Sequence, residues 1–309
     1  MSDQADGLRQ LIRSREGPMA LADPPPRARL DEPEAPAGSR SLVLTSGKGG
    51  VGTSNLALNL AIALGEYGQR VVLIDADLGL ANIDLLCGLA PRCDLGDVLA
   101  GACPLAEAIV TGPGDCRIVP GAHGMRTLLE ALEDGPERLA MELAELESTT
   151  DFLLIDAGSG LGPGVPTLAA AADGLVAVTT PEPTSVADAH AALGRFRRPA
   201  GIGTPSLRAV VNQAASAAEA ADCLARLCAG SRQFHGLVVS PLGYVRSDPH
   251  LPLAVRRRQP FITEFPGSAA AKDVRRLARA LLEERRPRPP RPGFFAALAA
   301  RFALGRAAR

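Results

Sequence analysis

From residue 41 onward, short apolar runs alternate with longer stretches in which apolar residues recur every three or four positions. The runs fall at 42–45, 71–75, 117–119, 152–156, 175–179, 208–211 and 236–239. Helical periodicity appears near 54–67, 125–147, 184–197, 215–229 and 268–284. Runs such as Val71-Val72-Leu73-Ile74 and Phe152-Leu153-Leu154-Ile155 contain no polar member. A strand with one wet face would alternate, so an unbroken run marks a strand covered on both sides, as in a parallel sheet between helical layers. The pattern predicts an α/β fold, a mostly parallel sheet with helices on both faces, over residues 41–284.

The flanks read differently. Residues 1–16 form a short amphipathic pattern, with Ala5, Leu8, Leu11 and Ile12 on one face and Arg9 and Arg13 off it. A helix of that length is marginal alone in water. Residues 17–40 are rich in Pro, Gly, Ala and acids and read as a flexible tether. Beyond the core, 285–293 (Arg-Arg-Pro-Arg-Pro-Pro-Arg-Pro-Gly) is an extended basic linker. Residues 294–309 close the chain as a second amphipathic helix, with Phe294, Phe295, Leu298 and Phe302 on one side. That face suits either a lipid surface or the protein's own flank.

The first run leads into Thr45-Ser-Gly-Lys-Gly-Gly-Val-Gly-Thr-Ser-Asn55, and a helical pattern follows it. Strand, glycine-rich loop and helix are the context of a phosphate-binding loop, in which backbone N–H groups and a helix N-terminus converge on an anion. Gly47, Gly49, Gly50, Val51 and Gly52 supply the loop, and Ser54 stands where a magnesium-binding hydroxyl belongs. The spacing Gly47-x4-Gly52 calls for lysine next, but the residue is Thr53. A lysine does occur inside the loop, at Lys48. The chain holds 33 basic residues, of which only Lys48 and Lys272 are lysine, so this placement is selective. A compact ammonium fits a crowded phosphate cradle better than a planar guanidinium.

Two further runs end in acids. Asp75 and Asp77, two residues apart at a strand's C-terminal end, can face one crevice, one positioning a water and the other ordering metal or loop. Asp156, at the tip of 152–156 and before Gly158 and Gly160, is placed to hold Mg²⁺. After run 208–211, Asn212 offers a donor and an acceptor together, which suits an adenine edge and equally suits a turn.

Composition narrows the classes. Aromatics make up 3% of the chain and the net charge is −1, which argues against stacking platforms and a globally basic nucleic-acid binder. The six cysteines form no C-x-x-C pair, and the four histidines are scattered, a poor start for zinc. An acidic N-terminus and no bilayer-length apolar stretch set the expectation of a cytoplasmic protein with reduced thiols.

Taken together, Gly47-Lys48-Gly49-Gly50-Val51-Gly52, the segment from Asp75 through Asn82, the Asp156 loop, Thr180-Pro-Glu-Pro-Thr-Ser185 and Asn212 resemble the MinD/ParA group of deviant-Walker ATPases. The resemblance covers about 41–284 and implies a P-loop NTPase of the SIMIBI type that takes ATP and Mg²⁺. It implies that Lys48 reaches the phosphates of a partner subunit in an ATP-held homodimer and that Asp77 orients the attacking water. It further assigns Ser54, Asp156 and Asp75 to the metal, the loop from Gly47 to Ser54 to the phosphates, and Asn212 to adenine. Within the group, Asp3-Gln4-Ala5-Asp6-Gly7-Leu8-Arg9 resembles the activator segment of the flagellar-number regulators FlhG/FleN, which acts on the SRP-type GTPase FlhF. The C-terminal helix resembles that family's membrane-targeting end, implying an anionic membrane surface as partner and a peripheral location at the inner face of the cytoplasmic membrane. Thr53 departs from the group's lysine, and a site without that charge should lose hydrolysis before binding. A nucleotide-binding scaffold without turnover, and a ParA- or MinD-like positioning role in division or cargo partitioning, therefore stand beside the flagellar reading.

Overall fold

Eight strands form one sheet in the order β3-β4-β2-β5-β1-β6-β7-β8. They are β1 (Arg40–Ser46), β2 (Val71–Asp75), β3 (Val110–Thr111), β4 (Arg117–Val119), β5 (Phe152–Ser159), β6 (Gly174–Thr179), β7 (Ser206–Ala214) and β8 (Val239–Arg246). All neighbours pair in parallel except β3 and β4, so the two-residue edge strand β3 is the antiparallel exception. The computed structural model describes residues 39–77, 82–121, 137–159, 164–196, 205–284 and 292–307. The expected N-terminal helix (1–16), the tether up to residue 38, residues 285–291 of the basic linker, and segments 78–81 and 125–136 lie outside the described residues.

Helices cover both faces, as the unbroken apolar runs require. Side-chain alternation sends Leu42, Leu44, Leu73, Phe152 and Leu154 to one face. There they meet α1 (Thr53–Glu66), α2 (Ile83–Cys87) and, further along the chain, α9 (His250–Arg256), α10 (Phe261–Glu264) and α11 (Ala269–Glu283). Val43, Val72, Ile74, Leu153 and Ile155 point the other way. They meet α3 (Leu95–Leu99), α4 (Leu105–Ala108), α5 (Glu137–Ser148), α6 (Val165–Ala171), α7 (Pro183–Gly194), α8 (Ala217–His235) and α12 (Phe294–Ala307). Helix α1 is buried along its whole middle, from Leu56 to Leu64, between the sheet and α11. It follows the central strand β1, so the loop joining them starts at the middle of the sheet's C-terminal edge.

The last strand is displaced from its expected place. Residues 236–239 read as a strand, but β8 runs over Val239–Arg246, with Gly236 a left-handed helix terminator of α8. Pro241 and Gly243 break the apolar run, and an edge strand tolerates both. Val239, Leu242 and Val245 still reach the interior.

Helix α12 lies on the protein. Phe294, Phe295 and Leu298 are 3%, 2% and 0% exposed and join the core against α5 and α6. The Glu147 carboxylate of α5 accepts the N–H groups of Phe294 (2.6 Å) and Phe295 (3.4 Å), capping the first turn of α12. Burial raises the pKa of Glu147, and these two N–H groups hold it back. Side chains from residue 301 onward, including Phe302, lie outside the described residues.

Edge strand β8 is tied to α11 by a buried carboxylate. Asp273 is fully buried and accepts Arg246 Nε at 2.8 Å, its Nη2 at 2.8 Å and its backbone N–H at 3.0 Å, with Arg276 as a third charge. Asp273→Ala would strand these donors. Arg246 reaches solvent and can rehydrate, so the loss is set at about 2–3 kcal/mol, below the roughly 3–5 kcal/mol of a fully buried broken pair. The urea midpoint should fall accordingly with an unchanged slope.

Candidate functional site

A cavity of about 390 Å³ opens at the C-terminal edge of the sheet, where β1, β2 and β5 end. It is lined by the loop residues Gly49, Gly50, Gly52, Thr53 and Ser54 and, facing them, Asp77, Asn82 and Gly158. Ligands of open α/β sheets bind at this edge. Gly52, at φ 87°, precedes α1, and no side chain caps that helix start. The N-terminal amides of a 14-residue helix are thus turned toward the cavity with their partial positive charge.

The loop's shape is fixed from two sides. A Cβ on Gly47 would come within 2.1 Å of the Asp188 backbone in α7, so only glycine allows this approach. On the other side, Asn212 at the end of β7 donates Nδ2–H to the Val51 carbonyl at 2.8 Å and accepts the Gln213 N–H at 3.0 Å. Its Nδ2 also occupies the space a Cβ on Gly52 would need. The structure therefore uses Asn212 as a brace for the loop, through one of its two amide N–H groups.

The three expected acids converge but differ in surroundings. Asp75 and Asp156 are register partners on β2 and β5. Asp75 accepts N–H groups from Asn82 (2.8 Å), Ile83 (3.0 Å) and Asp77 (3.3 Å). Both of its oxygens are engaged by N–H groups of the turn after β2, and neither Asp75 nor Asp156 is among the residues lining the cavity. Burial first, and the Asp156 charge second, push its pKa to about 7 against the pull of those N–H groups. Asp156 is fully buried, and its Oδ1 accepts the Gly158 N–H at 3.0 Å. Burial raises it to about 6; the Ser54 hydroxyl and the Gly158 N–H lower it, and Asp77 raises it. Although Ser54 lies beside the carboxylate, no hydrogen bond of acceptable geometry reaches the buried Oδ2. Asp77 lines the cavity itself, with its carboxylate pressed against Gly158, where a Cβ would come within 2.2 Å of Oδ2.

These groups fit a small divalent cation. A buried carboxylate oxygen without a partner and an adjacent hydroxyl form an all-oxygen donor set suited to Mg²⁺. Ser54 and Asp156 would hold the ion. Thr53, nearly buried, lines the cavity with a hydroxyl where a charge was expected, and no basic side chain lies among the described lining residues. Lys48 is turned to Glu182 Oε2 at 2.5 Å and Thr184 Oγ1 at 3.2 Å.

Ser46, Asn55, Asn82 and Ser159 also line the cavity and were not singled out in the sequence. Their legible signal is position alone, since each adjoins a glycine loop or an acid at a strand's C-terminal end.

Residues 39–196 match the family described as AAA domain. The antiactivator FleN of Pseudomonas aeruginosa is 34% identical over 237 residues, covering 77% of this chain and 84% of that protein. The structure is similar to the cell-division ATPase MinD of Pyrococcus furiosus, with 27% identity, a TM-score of 0.63, and 79% of this chain and 99% of the other covered. It is also similar to MinD of Pyrococcus horikoshii in complex with Mg-ADP, with 26% identity, a TM-score of 0.63, and 79% and 96% covered.

Asp75 and Asp156 bind protons more tightly in the folded than in the unfolded chain. Folding therefore takes up protons between about pH 4 and 7, and stability falls as pH rises through that window. The melting temperature of the metal-free, nucleotide-free protein should drop from pH 5 to pH 8. Asp156→Asn should flatten that slope and raise the melting temperature at pH 8. A melting temperature that climbs across this range would show both carboxylates ionised and compensated.

Proposed function

This chain belongs to the MinD/ParA-type P-loop ATPases, of the FlhG/FleN kind, and on that premise we propose that it is an ATP-controlled dimerisation switch that hydrolyses slowly or not at all. One observation carries the reading. The uncapped N-terminus of α1 and its glycine loop open on a cavity lined by Ser54 and, facing the loop, Asp77, and Ser54 lies beside the buried Asp156 carboxylate. That arrangement suits a polyphosphate with its metal.

The chain's own residues divide the work. Loop amides from Gly49 to Ser54 cradle phosphate oxygens, and Ser54 and Asp156 position Mg²⁺, which would supply positive charge against the phosphates. Asp77 orients a water at the terminal phosphate. Lys48 reaches phosphates across the interface of a homodimer. Asn212, with its second amide N–H, meets adenine. Thr53 offers a hydroxyl without charge, so the charge gathering in the transition state has one stabilising group fewer.

The finer assignment follows the FleN likeness. The switch acts on flagellar number or placement, with an SRP-type GTPase resembling FlhF engaged by residues 1–16, which lie outside the described residues. The alternative is a nucleotide-binding scaffold without turnover, and Thr53 is what favours it. For the membrane, α12 supplies the apolar face, but here that face is docked. Lipid binding thus requires its release, which the ATP-bound dimer favours and which doubles the helices available to one surface.

Calorimetry with ATP and Mg²⁺ should show saturable binding; no heat at millimolar nucleotide would reject the reading. In a phosphate-release assay, Thr53→Lys should turn over about 10- to 100-fold faster than the unmodified protein, in keeping with the gain from one transition-state charge. Equal rates would mean that the cradle does not need that charge. Anionic vesicles should sediment the full chain only with Mg²⁺ and a non-hydrolysable ATP analogue. Sedimentation indifferent to nucleotide would remove the switch from the membrane role.

A further inference from the structure

We propose that Glu182 is an internal competitor for Lys48 and so sets the affinity of the phosphate site. The proposal rests on the nucleotide reading above and goes further by naming the group that the phosphates must displace. Among the described residues lining the cavity there is no cationic side chain, and Thr53 supplies none. Lys48 is the cation of the loop, and its ammonium is held by the Glu182 carboxylate at 2.5 Å and the Thr184 hydroxyl at 3.2 Å. A carboxylate and a hydroxyl on one ammonium offer it what phosphate oxygens would offer.

The contact is built into the fold. Glu182 is the residue before α7, where a carboxylate would ordinarily cap the helix start, yet its side chain makes no capping hydrogen bond. Its backbone is pinned between Pro181 and Pro183, while the Ser185 hydroxyl accepts the Thr180 N–H at 3.0 Å and lies 2.9 Å from the Thr179 hydroxyl. The phosphate loop approaches the same helix so closely at Gly47 that no side chain fits between them. Both ends of the pair are therefore carried on backbones locked against each other. In a loop with the usual second lysine, losing Lys48 to Glu182 would leave a cation in the cradle. Here Lys48 is the loop's one cation and reaches across the homodimer, so each Lys48 held by Glu182 is a cation withheld from the phosphates of the partner site.

The pair is solvent-accessible, with side chains 32% and 66% exposed, which limits its strength. Glu182→Gln should therefore tighten Mg·AMPPNP binding by about threefold, within the range set by exposed ion pairs. The two lysines of the chain make the contact directly visible, because lysine-selective isotope labelling gives one signal for Lys48 and one for Lys272 as an internal reference. In the nucleotide-free protein, Glu182→Gln should move the Lys48 signal and leave Lys272 in place. At saturating Mg·AMPPNP, the Lys48 signals of the two proteins should converge. Binding of equal affinity in both proteins, or a Lys48 signal that ignores the substitution in the free state, overturns the competition while leaving nucleotide binding intact. Absence of binding in both overturns the nucleotide reading and this proposal with it.

Discussion

Two carboxylates that ought to repel lie side by side at the tips of β2 and β5, and much of the site follows from that constraint. Neither can be ionised cheaply away from water. Asp75 meets the cost with three backbone N–H groups, and in doing so it sets the course of the chain from Asp77 into α2. Asp156 has one N–H at Oδ1 and a buried, unpartnered Oδ2. The two acids thus differ in their hydrogen bonds, and burial, the largest cause for each, raises the pKa of both.

Positive charge is handled by restraint in the opposite direction. The phosphate cradle relies on backbone amides and a helix N-terminus, which cannot move away, and the loop's one lysine is paired with Glu182. Close packing makes this economy possible. Gly47 against the backbone of α7 is an approach that no other residue permits, and Gly52 against Asn212 and Gly158 against Asp77 are close approaches at positive φ, which favours glycine. Each brings a wall of the cavity to its neighbour, so the loop is clamped between β7 and α7 before any ligand arrives.

Where the fold was legible in the sequence, the reason is burial on both faces. β2 and β5 carry no polar residue before Asp75 and Asp156, and the expected run coincides with β2 and with the first five residues of β5, which continues to Ser159. β8 was misplaced because an edge strand is freed from that requirement and can carry Ser240, Pro241 and Gly243. The short helices α2, α3 and α4 left no mark either, since about one turn is too little to display a period. The site was legible in its glycines and acids, whose spacing follows backbone geometry. Its hydrogen-bond assignments were not, because they depend on approach between distant segments. Asn212 contacts Val51 at 2.8 Å across more than a hundred residues. Lys48 meets Glu182, also more than a hundred residues on.

The C-terminal helix poses the same question of alternatives on a larger scale. Burying Phe294, Phe295 and Leu298 is worth about 5–9 kcal/mol by side-chain transfer. A lipid surface returns much of the same apolar term, so the balance between docked and lipid-bound states rests on smaller contributions. One is Glu147, which gives up solvation to cap α12 and regains it on release. Another is the basic composition of residues 285–309, which hold seven arginines and no acid and so match an anionic surface. An apolar face thus makes either state possible, and charge decides between them. The same division of labour holds at the phosphate site, where backbone packing makes the cradle and the placement of a single ammonium decides whether it is ready.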